Sequence, residues 1–160
     1  MVSCSPLAAL HTRLFLNCLE RMDDEAASLR VGGHTNSAAF VAAHLVDSRA
    51  WTARMLGVDI PPPFGGAVAY GSSMEAVQSM PTLAESTEEW LAVSALLEVR
   101  MQALTAADLA ADAGLRFPIE DGSLAGALAF LLHHEAYHIG QLSLLRRAAG
   151  LPAMEYVVRS

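Results

Sequence analysis

Residues 124–149, LAGALAFLLHHEAYHIGQLSLLRRAA, carry the pentapeptide His134-Glu-Ala-Tyr-His138 inside an uninterrupted, mostly apolar segment. Asp121-Gly122-Ser123 introduces it as a helix start, and Gly150 with Pro152 closes it. As one helix it spans roughly 39 Å at 1.5 Å per residue. Histidines four apart stand one turn from each other on one face, with a carboxylate beside them. That pairing suits a divalent metal, and a scaffold of this length points to an all-α fold.

At 100° per residue, His138 falls about 40° from His134, Gln141 about 20° and Tyr137 about 60° to the other side. Phe130 and Ala127 share that inward sector. His133 and Glu135 fall roughly 100° away on opposite sides. His133 is therefore expected at a helix seam or in solvent.

Three further helices are predicted. The first runs from about Pro6 to Leu29, with Leu7, Leu10, Leu14, Cys18 and Met22 at helical spacing. The second starts after Thr35-Asn36-Ser37, good N-cap chemistry, and runs to Gly57 with an inward stripe of Phe40, Val41, His44, Ser48, Trp51 and Met55. The third starts at Thr82, where Thr-Leu-Ala-Glu forms a capping box, and continues to about Leu104. Four helices of this length make a four-helix bundle, here read as one domain over residues 1–160. A long irregular connection, residues 57–81, separates the second and third helices. Pro61-Pro62-Pro63 keeps it extended, a short turn is expected at 73–79, and such a loop is usually functional or wraps an opening. The tail Glu155–Arg159 is expected to be extended or disordered.

Hydrophobic residues make up 53% of the 160 positions and charged residues 17%, which excludes a disordered chain. The longest run without a polar side chain, Leu124–Leu132, is far short of the roughly 20 residues a membrane helix needs. No leader pattern is read at the N-terminus, so a cytoplasmic location is expected. Net charge is −7 with cations scattered, which argues against nucleic acid as a partner. Cys4 and Cys18 are too far apart for a metal knuckle or redox pair, and Cys18 reads as a small core residue.

A metal on His134 and His138 needs a third protein ligand. His44, on the inward stripe of the second helix, is the best donor. The alternative is a core histidine satisfied by a hydroxyl or carbonyl. Three neutral imidazoles sharing a cation would satisfy one another and leave a coordination position open. His11 is expected to be packed or hydrogen-bonded, and His34 to be a turn residue.

The pentapeptide alone suggests a zinc protease, but only 22 residues follow His138, they hold no histidine, and no sheet is evident to present a substrate strand. A di-iron carboxylate bundle needs a second Glu-x-x-His, and none exists.

With His44 in Ala-His-Leu-Val-Asp-Ser-Arg-Ala-Trp, and with His133-His-Glu-Ala-Tyr-His-Ile-Gly-Gln-Leu142, the chain resembles the DinB/YfiT-like superfamily over nearly its whole length. The resemblance implies a metal-binding four-helix bundle, often a homodimer, with zinc or nickel on His44, His134 and His138. It implies a small-molecule substrate. Members with known activity are transferases and isomerases using low-molecular-weight thiols, and others are described as metal-dependent hydrolases. A non-enzymatic bundle stapled by metal is the competing class. Glu135 is a candidate base, or a surface or supporting residue. Asp47 is read either as orienting an imidazole or as exposed. Tyr137 and Gln141 line the histidine sector, and Trp51 either walls the pocket or belongs to the core.

Overall fold

A computed structural model describes residues 5–156. Cys4 and residues 157–160 of the tail lie outside them. The described residues are all-helical and contain no strand: α1 (Ser5–Leu19), α2 (Asp24–Ser28), α3 (Ala38–Met55), α4 (Leu83–Gln102), α5 (Ala106–Ala110) and α6 (Leu124–Ala148). The four long helices pack in a closed circuit, α1 on α6, α6 on α3, α3 on α4 and α4 on α1. Among the described residues no helix is long and apolar enough to cross a membrane.

Local chemistry sets the helix starts. The hydroxyls of Ser37, Thr82 and Ser123 accept the backbone N–H groups of Phe40, Glu85 and Gly126. Each satisfies a donor that a helix start otherwise orphans. At Thr82 the capping box is complete, with Glu85 reaching back.

The first expected helix breaks in two. Arg21 adopts a left-handed conformation (φ 64°), and Asp23 then caps α2 by accepting from Ala26 N–H at 2.8 Å. The buried Arg146 of α6 donates to the carbonyls of Cys18 and Glu20, which a helix end leaves unpaired. Met22 still reaches the core, so the apolar period runs on past the real end of the helix. Glu155 is pinned, its N–H donating to Asn17 at 2.8 Å.

Helix α3 is central, with 13 of its 18 residues buried, so it has no single inward face. Of the expected stripe, Phe40 and Val41 are buried, while His44, Ser48, Trp51 and Met55 are only half-buried. Small residues, Ala42, Ala43, Ala50 and Ala53, let neighbouring helices approach it closely. The connection after α3 contains short turns at Pro63–Gly66 and Met74–Ala76. Pro63 opens the first of them, where its missing N–H costs nothing. Between the turns, fully buried Val68 packs on Phe40 and Ala43. The segment before α6 also has structure that periodicity did not reveal. Thr105 and Asp108 cap α5, and Asp112 and Ser123 form an isolated antiparallel bridge that closes the intervening loop.

Candidate metal centre

His44 of α3 and His134 and His138 of α6 converge, their donor nitrogens within 4.8 Å of one another. Each imidazole has its Nδ1 engaged by protein. His44 Nδ1 donates to the Val68 carbonyl at 2.9 Å. His138 Nδ1 donates to Gln141 Oε1 at 2.7 Å, with Gln141 Nε2 donating in turn to the Tyr137 hydroxyl at 3.1 Å. His134 Nδ1 lies 3.3 Å from Ser48 Oγ. A carbonyl only accepts, so His44 and His138 carry their hydrogens on Nδ1 and keep lone pairs on Nε2. Such bonds fix ring orientation and tautomer in metal-binding histidines.

The Nε2 atoms of His134 and His138 are 3.0 Å apart. Two nitrogen lone pairs cannot face each other at that distance without a hydrogen or a cation between them. Tetrahedral zinc, with Zn–N of about 2.0–2.1 Å, spaces its nitrogens about 3.4 Å apart, so this donor set fits with small adjustments. Burial, then repulsion from the neighbouring imidazoles, lowers the pKa of both α6 histidines. His134 falls below its usual value and His138 to about 4, against the raising effect of its Gln141 bond. Both are therefore neutral, with lone pairs free, near pH 7.

A cavity of about 410 Å³ adjoins the cluster and is lined by His44 and His134 at one end. Asp47, Ser48 and Trp51 continue it along α3. Phe117 meets Trp51 edge-on at 6.1 Å and packs on Phe130 at 5.3 Å. Exposed Tyr70 and Arg116 stand at its rim.

The other expected residues fall as follows. Asp47 is neither exposed nor bonded to an imidazole; it is 5% exposed and faces the cavity. Tyr137 is 59% exposed, so it flanks the cluster rather than pointing inward, and its ring meets His138 edge-on at 5.0 Å. Gln141 is half-buried and acts through His138. Trp51 walls the cavity. His133 is exposed, and His34 bonds the Gly32 carbonyl in its own turn.

Glu135 is not a surface residue. It is 2% exposed, and its two oxygens accept Arg49 Nε at 2.8 Å and Nη2 at 2.6 Å, the second also meeting His11 Nδ1 at 3.0 Å. All five N–H groups of Arg49 are used, the others going to Thr12, Ser94 and the Ala8 carbonyl. Its guanidinium also lies 3.5 Å from the Trp90 ring, which stacks on Phe15. Arg49, Val68 and Phe117 were not singled out from sequence. The one available signal was an arginine in the middle of an alanine-rich helix.

An all-helical protein with three inward imidazoles beside a cavity defines a class compatible with divalent-metal binding. The family model of the DinB superfamily matches residues 8–142, and the chain belongs to that superfamily. No curated protein matches it.

Proposed function

We propose that this DinB superfamily member is a divalent-metal-dependent enzyme of the thiol transferase or isomerase type, acting on a small molecule. In this reading the chain is a single four-helix bundle of α1, α3, α4 and α6, with α2 and α5 as short additions. His44, His134 and His138 hold the ion, zinc or nickel, through Nε2. The single observation behind the reading is that all three Nδ1 atoms have protein partners, leaving three Nε2 atoms that face one another beside a cavity. Such an ion supplies a Lewis acid that lowers the pKa of a thiol or water.

Val68, Ser48 and Gln141 orient the imidazoles. Trp51, Phe117 and Phe130 exclude water from the substrate end. Glu135 has no part in the reaction here, since its oxygens serve Arg49 and His11; this weakens the hydrolase alternative that needed it as base. The adjoining cavity weighs against a metal that only staples helices.

The test is metal content of zinc-loaded wild type and of His44→Ala, His134→Ala and His138→Ala, followed by an activity screen with several cellular thiols and common electrophiles. About one ion per chain in wild type and loss in each variant supports the ligand set. Full occupancy in any variant overturns that histidine's assignment. No thiol-dependent turnover by the loaded protein overturns the transferase reading.

A further inference from the structure

Asp47 is 95% buried by its 5% exposure, and its carboxylate has no hydrogen-bond partner among the described residues. The carboxylate is open to the cavity and not sealed in the core, so whatever fills the cavity meets an acid that no protein group completes. Asp47 lines the cavity. Arg54 and His44 act on it electrostatically, and Arg116 and His134 line the same cavity. Arg54, two turns along α3, donates instead to the Pro61 carbonyl at 3.4 Å. His44 donates to Val68. Arg116 is exposed at the rim and paired with Asp112 at 3.2 Å. None hydrogen-bonds Asp47. Burial accordingly raises its pKa, with Arg54 and then His44 pulling the other way.

Position adds to this. Along α3 the cavity wall runs from His44 through Asp47 and Ser48 to Trp51, one turn at a time. The carboxylate therefore stands between the three-histidine end and the aromatic end formed by Trp51, Phe117 and Phe130. A carboxylate next to aromatic faces is the combination that selects an organic cation, the acid by a charge-assisted hydrogen bond and the rings by cation–π attraction.

We propose that the cavity takes a small molecule carrying a protonated amine beside an apolar or aromatic body, with the amine on Asp47 and the body against Trp51 and Phe117. This rests on the reading that the cavity beside the histidines receives the substrate, and names that substrate's class. The rim guanidinium of Arg116 does not oppose it, because that group is solvent-exposed and already paired, and its field is screened.

The test uses three probes of one shape: phenethylamine, 2-phenylethanol and 3-phenylpropionate. Binding is read from tryptophan fluorescence, since only Trp51 and Trp90 are present and Trp90 is sealed beneath Phe15. Titrations are run on wild type and Asp47→Asn, each stripped with chelator and again loaded with zinc. A hydrogen bond to a charged group corresponds to about tenfold or more in affinity. The expected result is therefore phenethylamine binding at least about tenfold tighter than either analogue, stripped or loaded, with the preference gone in a folded Asp47→Asn. Equal or tighter binding of the alcohol or acid, an unchanged preference in Asp47→Asn, or no binding of the amine to wild type overturns the proposal. If zinc binds but the amine preference is absent, only this inference fails. If the preference holds while zinc does not bind, the metal reading fails instead.

Discussion

Arg49 and Glu135 form a two-point ion pair between α3 and α6, Nε to Oε1 at 2.8 Å and Nη2 to Oε2 at 2.6 Å, in the fully enclosed centre of the protein. Glu135 directly follows His134 in sequence, so one turn of α6 serves the histidine cluster on one side and the central ion pair on another.

Breaking that pair strands a buried guanidinium. Glu135→Leu is expected to lower the unfolding free energy by about 3–5 kcal/mol, as removing one partner of a buried pair does. Urea denaturation measures it. An unchanged midpoint would show that the pair contributes little.

The same pair gives a pH dependence with a definite sign. Burial raises the Glu135 pKa, but Arg49 and His11 outweigh it and hold the carboxyl below its ordinary value of 4.5. A depressed folded-state pKa stabilises fully above that ordinary value, and the contribution is lost as pH falls through the depressed one. Wild type should therefore exceed Glu135→Gln in stability at about pH 7, and the gap should narrow as the pH falls below 4.5 through the depressed value.

Gln141 hydrogen-bonds His138 and Tyr137 at the edge of solvent. Gln141→Leu should cost about 10–100-fold in zinc affinity while leaving the melting temperature of the stripped protein nearly unchanged. Competition with a chromogenic chelator reads the affinity, and an unaltered affinity would remove Gln141 from any supporting role.

Gly126 sits early in α6, where Ala would ordinarily gain about 1 kcal/mol in helix propensity. An added Cβ would collide with the Asp121 backbone carbonyl and side chain. Overpacking of about 1–3 kcal/mol should win, so Gly126→Ala is expected to melt lower than wild type, against its propensity. Calorimetry decides the sign.

Cys18 is fully buried, and burial pushes its thiol up to about 12 despite the nearby Arg146 charge. In a Cys4→Ser background, iodoacetamide at mildly alkaline pH should label Cys18 only as fast as the protein unfolds. Rapid labelling of the native protein, followed by mass spectrometry, would contradict its enclosure.

The long helices were legible because their starts carry hydroxyls with one dominant use, Ser37, Thr82 and Ser123, and because Gly150 and Pro152 stop α6. The break at Arg21 was not legible, since Met22 keeps the apolar period while the backbone turns away. The asymmetry of α3 was misread for a physical reason: alanines are buried without looking like a stripe, so the polar and aromatic residues beside the cavity stood out as the inward face. At the site, the pairing of His134 with His138 could be reasoned from i, i+4 spacing, and His44 from its place on the stripe of the second expected helix. The partners of Glu135 could not, because His11 and Arg49 reach it across 124 and 86 residues of chain. Val68 and Phe117 act through loops whose closure has no periodic signal.

The hold of the Val68 carbonyl on His44 makes the 57–81 connection part of the cluster rather than a tether between helices. A transplant of the three histidines onto another helical scaffold, even with Ser48 and Gln141 carried along, would leave His44 without the group that orients it. Anyone shortening this loop for crystallisation or engineering would retain every histidine and still alter the centre, because one of its determinants is a peptide group that no side-chain inventory records.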